Sequence, residues 1–111
     1  MNVPLKVLDN LYFQASGAGN TGYVTVITTT RQYVMTLTAA ATNTIQILTA
    51  GRLIRVLFSL KCAATGAIEL SRSSTTQIAT ATPDVSVLGR VWIEPVTTSG
   101  LPTKDVVLEF T

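Results

Sequence analysis

The chain has 111 residues, of which 47% are hydrophobic and only 13% are charged, and its formal net charge is +2. A typical soluble domain is about 25% charged, so the composition predicts one domain with part of its surface covered by another chain. Solvation of the surface by the many Thr and Ser residues is the alternative. The small net charge and the dispersed basic residues predict no membrane partner. They also argue against a nucleic-acid partner, because binding phosphates needs clustered basic residues.

The first predicted strand lies where apolar residues alternate with polar ones from Val3 to Phe13. It contains DNLYFQAS, residues 9–16, which is similar to ENLYFQ-S, the site of a plant-virus protease used to remove affinity tags. The alternation continues through the motif and no histidine run precedes it, so we interpret it as a native strand. Residues 2–15 form either an ordinary first strand or an arm that pairs with a neighbouring subunit's sheet edge.

The middle of the chain is rich in β-branched residues. Residues 23–38, YVTVITTTRQYVMTLT, predict two strands with a turn near Thr30 and Arg31. In residues 52–62, RLIRVLFSLKC, the alternation predicts one buried face and one mixed face. The predicted buried side chains are Ile54, Val56, Phe58, Leu60 and Cys62, and the mixed face carries Leu53, Arg55, Leu57, Ser59 and Lys61. The single cysteine, Cys62, excludes an internal disulfide and is expected to act as a small buried hydrophobic residue.

The last third of the chain continues the same pattern. AATG, residues 63–66, predicts a hairpin turn. In residues 85–96 we expect Val85, Val87, Val91 and Ile93 on one face and Ser86, Arg90 and Glu94 on the other. Near the end, Val106, Leu108 and Phe110 oppose Asp105, Val107 and Glu109. The chain thus predicts a single all-β domain over residues 1–111: a compact antiparallel sandwich or barrel, jelly-roll-like, with about eight short strands.

No catalytic chemistry is visible. The chain lacks histidine, which is the commonest general base and metal ligand and a member of the usual nucleophile triads. The six acids lie on polar strand faces or beside turns, where solvated carboxylates belong: Asp9, Glu69, Asp84, Glu94, Asp105 and Glu109. The glycine-rich SGAGNTG, residues 16–22, lacks the lysine of a phosphate-binding loop. We therefore expect no enzyme activity, no cofactor and no metal site.

The mixed strand faces are the candidate contact surface. Trp92 is the sole tryptophan and shares its face with Arg90. A tryptophan at such a position can anchor a protein interface, stack on a sugar or be covered by a loop. Leucine, arginine and tryptophan on half-polar faces are typical of subunit packing. The predicted interface residues are Leu53, Arg55, Leu57, Arg90 and Trp92.

The threonine-rich segments YVTVITTT and TLTAAATNT, the lack of charge clusters, the absence of histidine and the single cysteine resemble small virion structural proteins of tailed bacteriophages, of the capsid decoration (cement) type. The resemblance covers the whole chain in style and carries over no site residue. It implies a non-enzymatic all-β domain that is made in the host cytoplasm and located in the virion. It also implies a homo-oligomer, with a trimer favoured, that binds and stabilises the viral capsid.

Two other classes of protein stay open. A carbohydrate- or ligand-binding β-sandwich module would need its aromatic side chains to converge on one face. Those side chains are Tyr12, Tyr23, Tyr33 and Trp92. A nucleic-acid-binding barrel would need its basic side chains on one face, with stacking aromatics among them. Those basic side chains are Arg52, Arg55, Lys61 and Arg90.

Overall fold

The computed structural model of the chain describes residues 3–39, 41–73, 85–95 and 103–110. These ranges contain nine β-strands and no helix, so the all-β prediction is confirmed. The strands are β1 (Pro4–Leu5), β2 (Asn10–Ala15), β3 (Thr21–Thr28), β4 (Gln32–Thr38), β5 (Ala41–Gln46), β6 (Gly51–Lys61), β7 (Gly66–Ser73), β8 (Val85–Ile93) and β9 (Thr103–Glu109). Threonine, valine and isoleucine dominate them because β-branched side chains favour extended backbone.

The strands form two antiparallel sheets that pack face to face as a sandwich. In sheet I, β4, β3 and β6 lie side by side, and β1 and β9 both pair with the far side of β6. Sheet II has the order β5–β2–β7–β8. Two central pairings, β3 with β6 and β2 with β7, join strands that are distant in sequence. The chain therefore crosses repeatedly between the sheets, and the predicted antiparallel sandwich is confirmed.

The core lies between the sheets and is almost wholly apolar. Phe13 of β2 and Phe58 of β6 meet edge to face, with ring centroids 6.0 Å apart and planes at 75°. Cys62 is buried, as predicted.

Residues 63–66 lead from β6 in sheet I to β7 in sheet II, so the predicted hairpin at this turn is wrong. The predicted turn near Thr30 does join two paired strands, β3 and β4.

The N-terminal segment forms two strands rather than the one predicted. A turn at residues 6–8 carries the chain from β1 in sheet I to β2 in sheet II, which leaves Val7 exposed. The DNLYFQAS motif supplies β2, an interior strand between β5 and β7. Leu11, Phe13 and Ala15 are buried, so the interpretation of the motif as a native strand is confirmed. Both β1 and β2 pair with strands of their own chain.

Two β-bulges reverse the predicted alternation locally. Between β3 and β6 the register shifts at Ile27 and Thr28, and as a result Leu53 is buried while Ile54 is only half-buried. Between β7 and β8 the register shifts at Leu70 and Ser71, and Val87 faces solvent. A bulge inserts one unpaired residue, and every side chain beyond it changes face. The predicted directions for Val85 and Ser86 lie outside the described side chains.

Candidate interaction surfaces

The outer surface of sheet I, which we name face I, carries a row of outward residues across four adjacent strands, three of them apolar and one, on β3, a threonine. Val34 of β4 pairs with Thr25 of β3, Thr25 pairs with Leu57 of β6, and Leu57 pairs with Val107 of β9. Val34 is 64% exposed and Val107 is 45% exposed. Tyr23 lies beside this row on β3 and is also exposed. Contiguous apolar side chains on a sheet surface are typical of a contact with another protein.

Charges occupy only one half of face I. The outward residues of β3 and β4 are all uncharged: Thr21, Tyr23, Thr25, Ile27, Gln32, Val34, Thr36 and Thr38. On β6 and β9, Arg55 lies directly opposite Glu109, an arrangement in which opposite charges attract. Lys61 and Asp105 complete two positive and two negative charges. Arg52, exposed opposite Pro4 at the start of β6, adds a third positive charge. Face I therefore has a net charge of about +1 and fits a partner surface of similarly low charge.

The outer surface of sheet II, which we name face II, carries a charged and aromatic group. Glu69 of β7 lies opposite Arg90 of β8, and the two side chains form an ion pair. The guanidinium carbon of Arg90 is 5.8 Å from the ring centroid of Trp92. Trp92 is 71% exposed, so the alternative of a covered tryptophan is wrong. Arg90 thus joins an acid and an aromatic ring on one surface.

A depression of about 310 Å³ lies on face II beside this group. The buried side chains of Ser71 and Ser73 form its floor on β7, because serine leaves space between larger neighbours. Tyr12 of β2 lies on one side and Val87 of β8 on the other. Its volume is at the lower end of the range for small-molecule sites, which begins at about 300 Å³.

The five predicted interface residues do not form one surface. Leu53 is buried in the core, so its prediction as a contact residue is wrong, and the bulge opposite Thr28 is the cause. Arg55 and Leu57 belong to face I, whereas Arg90 and Trp92 belong to face II on the other side of the sandwich. The prediction missed Tyr23, Val34 and Val107 on face I. Their signal was an apolar residue at a position that the alternation turns outward.

The aromatic side chains do not converge as a sugar-binding module would require. Tyr12 and Trp92 lie on face II, and Tyr23 lies on face I. Tyr33 is buried, and its hydroxyl oxygen accepts the backbone N–H groups of Leu48 and Thr49, at 3.1 and 3.3 Å. No three of the four share one face.

The basic residues predicted for a nucleic-acid barrel are also divided. Arg55 and Lys61 are on face I and Arg90 is on face II. Arg52, at the start of β6, is exposed on the outer side of sheet I as well, since Leu53 beside it is buried. A backbone-tracking groove needs these charges in line with aromatic rings, and this division does not provide one.

The described acids are separated from one another. The Asp9 carboxylate accepts the backbone N–H of Lys6 at 2.8 Å, and Glu69 is paired with Arg90. Asp105 and Glu109 lie four residues apart on β9, about 13 Å at the usual strand rise, which exceeds the spacing of paired carboxylates in glycosidases.

Other elements of a catalytic or membrane protein were also sought. In the described ranges no group of three metal-ligating side chains comes together. Asp84 lies outside the described residues. No helix in the described part of the chain has the length and hydropathy needed to cross a membrane.

Comparisons of this chain with protein-family models, with curated proteins and with solved structures found no match. Face I and face II are the two sheet surfaces that carry exposed apolar or aromatic side chains among the described residues.

Proposed function

We propose that this protein is a non-enzymatic structural domain that forms a homo-oligomer through face I and stabilises a larger assembly, a viral capsid. The apolar row of Val34, Leu57 and Val107 is the observation that carries the proposal. With Thr25 on β3, the row spans the four paired strands β4, β3, β6 and β9. The half of face I on β3 and β4 is uncharged. A monomer would expose this row to water permanently.

Association through face I has a direct energetic benefit. Covering the exposed parts of the three row side chains stabilises an oligomer by about 1 kcal/mol per side chain. Small domains bury a smaller fraction of their surface than large ones. Binding of the folded state to a second copy shifts the folding equilibrium towards the native form. A trimer is the favoured oligomer, because the phage decoration proteins that the composition resembles commonly form trimers.

The capsid partner is supported by composition. A protein that stabilises a shell needs a rigid scaffold and a broad contact surface of low charge, and it needs no cofactor. The two packed sheets supply the first, and only 13% of the chain is charged. The proposed location is the virion, with synthesis in the host cytoplasm.

Self-association is tested with a matched pair of valines on opposite surfaces. Val34 on face I and Val87 on face II are 64% and 58% exposed. Light scattering after size exclusion, over a dilution series, should show a homo-oligomer for the unmodified chain. Val34→Asp should weaken association about ten-fold or more because it places a carboxylate in an apolar contact. Val87→Asp should leave the mass unchanged. A monomer at every concentration, or equal effects of both changes, would refute the role of face I.

The capsid partner needs a separate experiment. Virus particles purified from the source of the protein should contain it in a fixed ratio to the capsid protein by quantitative mass spectrometry. The ratio should survive washing at high salt, because only 13% of the chain is charged and a contact of low charge is little affected by screening. Virus particles that lack the protein would overturn the capsid assignment. Self-association would not be affected by that result, because light scattering tests it separately.

A second candidate function, binding of a small ligand, is favoured by the depression on face II. Tyr12 and Val87 supply apolar walls, and Gln14, Glu69 and Ser71 supply hydrogen-bonding groups. A hydroxyl-rich ring such as a sugar has both kinds of surface. NMR titration with a panel of monosaccharides should shift the Tyr12 and Ser71 resonances and not those of face I. Absence of shifts at millimolar sugar would remove this candidate.

A further inference from the structure

Three chain links meet at one end of the sandwich, which we name the basic tip. They are residues 6–9, 29–31 and 47–50, between β1 and β2, β3 and β4, and β5 and β6. The Leu8 N–H donates to the Ile47 carbonyl at 2.8 Å. The Thr30 hydroxyl donates to the Ala50 carbonyl at 2.8 Å. These bonds connect the three links into one continuous surface.

The basic tip presents apolar side chains to solvent. Val7, Leu8 and Leu48 are each about half exposed, and they are three of the eight large hydrophobic residues exposed among the described ones. The hydrogen bond between Leu8 and Ile47 places Leu48 next to the turn that carries Val7 and Leu8. The three side chains therefore form a protruding apolar cluster rather than isolated exposures.

Leu8 holds its position in a strained backbone conformation. Its φ is 75°, and it is the one non-glycine residue with positive φ in the described ranges. Glycine adopts this conformation at lower energy than a residue with a Cβ. Hydrogen bonds fix the turn from both sides: Asp9 N–H donates to the Lys6 carbonyl at 3.0 Å, and Ile47 N–H donates to the Asp9 carbonyl at 2.8 Å. Strain of this kind is characteristic of functional positions.

Basic residues lie at the same end of the sandwich as the apolar cluster. Four of the eight basic residues of the chain begin or flank the same end: Lys6, Arg31, Arg52 and Arg72. Arg72 donates to the Pro4 carbonyl at 2.6 Å, and Pro4 pairs with Arg52. The sequence gives no hint of this cluster, because its members are up to 66 positions apart, from Lys6 to Arg72.

Negative charge near the basic tip is limited in the described part of the chain. Asp9 is buried and engaged by the Lys6 N–H. Glu109 lies farther along sheet I, opposite Arg55. Among the described residues, Lys6, Arg31 and Arg52 are exposed at this end, whereas Arg72 is half-buried and bonded to Pro4. The described part of the basic tip therefore has an excess of positive charge beside its apolar residues.

We propose that the basic tip docks the protein on an anionic membrane surface. Apolar side chains that enter the lipid interface and cations that face lipid headgroups are the two signals that together give stable peripheral binding. The sequence pattern predicted no membrane partner because the basic residues are dispersed along the chain. The fold, however, places four of the eight at one end of the sandwich. A single-stranded nucleic acid is less suited, because stacking needs exposed aromatic rings and the nearest aromatic, Tyr33, is buried. The proposal is independent of face I.

Vesicle sedimentation tests the proposal directly. The probes are phosphatidylcholine vesicles with and without about one-third phosphatidylserine. We expect sedimentation of the protein with the anionic vesicles alone, and release when salt rises to about 0.5 M. Absence of binding to the anionic vesicles, or equal binding to both kinds, would overturn the proposal.

Paired variants separate the two signals. Leu8→Gly with Leu48→Ser should weaken vesicle binding about ten-fold or more, and Val87→Ser with Trp92→Ser is the control for loss of exposed apolar side chains on face II. Lys6→Gln with Arg31→Gln should weaken it about 25-fold, at about five-fold per cation. Lys61→Gln with Lys104→Gln, near the opposite end, should have no effect. Because Leu8→Gly relieves backbone strain, loss of binding by that pair does not reflect misfolding.

One further result would reassign the basic tip. A DNA oligonucleotide that binds with the same dependence on Lys6 and Arg31, and with no dependence on Leu8 and Leu48, would identify a nucleic-acid surface and overturn membrane docking. Equal losses in the variant pairs and their controls would likewise overturn it.

Discussion

Thr28 on β3 pairs with Leu53 on β6, although the adjoining pair, Ile27 with Arg55, would place Thr28 opposite Ile54 in a regular ladder. The extra residue is a β-bulge, and it turns Leu53 into the core. Strand alternation in the sequence predicts the reverse, with Ile54 inside. One irregular position therefore decides which of two adjacent apolar residues stabilises the fold.

The bulge predicts unequal costs for two neighbouring truncations. Leu53→Ala should lower the free energy of unfolding by about 2–5 kcal/mol, because it leaves a cavity in a packed core. Ile54→Ala should cost about 1 kcal/mol, because that side chain is only half-buried. Urea denaturation at one protein concentration measures both. A larger loss for Ile54→Ala would contradict the register.

The aromatic contact between the sheets predicts a second stability effect. Phe58→Ala should lower the free energy of unfolding by about 3–5 kcal/mol, because Phe58 is fully buried and packs on Phe13. Trp92→Ala is the control for loss of an exposed aromatic ring and should cost about 1 kcal/mol or less. Thermal and urea denaturation measure the free energy of unfolding of both variants. If Phe58→Ala and Trp92→Ala lowered it by similar amounts, the packing of the two sheets at Phe58 would be contradicted.

A buried amide predicts a third effect. The Asn20 side-chain oxygen accepts the N–H groups of Ala63 and Ala64 at 2.6 and 2.8 Å, and its amide nitrogen donates to the Ala64 carbonyl at 2.8 Å. Asn20→Ala removes all three bonds inside the protein and should lower the free energy of unfolding by about 2–3 kcal/mol. Residues 63–65 should also exchange their amide hydrogens faster.

Asn43→Ala is the control for the same chemical change at a site with more solvent. Asn43 bonds the Thr38 carbonyl at 3.0 Å but is only half-buried, so water can replace the lost bonds. Its expected cost is about 1 kcal/mol or less. An Asn20 variant as stable as the Asn43 variant would count against the role of the amide.

The strain at Leu8 predicts a substitution with the opposite sign. Leu8→Gly should raise the free energy of unfolding by about 0.5 kcal/mol, because relief of the positive φ outweighs the greater entropy of glycine in the unfolded chain. Leu48→Gly should lower it by about 0.5–1 kcal/mol, because Leu48 has no positive φ to relieve. Calorimetric melting of the two variants gives the comparison. Destabilisation by both would show that the turn is unstrained.

Faces I and II and the basic tip illustrate what a sequence pattern leaves open. Arg55 and Leu57 were recognisable as outward residues of a strand, and so were Arg90 and Trp92. The pattern could not show that β6 and β8 belong to opposite sheets, because alternation assigns a side chain to a face of its own strand and not to a sheet. Val107 lies beside Leu57, and Val34 lies one strand beyond it, because β6 pairs with β9 and with β3, which are both distant from it in the chain.

The sequence by itself determined that this is an all-β chain, that DNLYFQAS is a strand, and that Phe58 and Cys62 are buried, because strand propensity and period-two alternation are local properties. Only the tertiary structure decided the two bulges, the division of the mixed faces and the gathering of basic residues at one end. Those features depend on register and on which strands meet, which are set by the packing of the complete core rather than by neighbours in sequence.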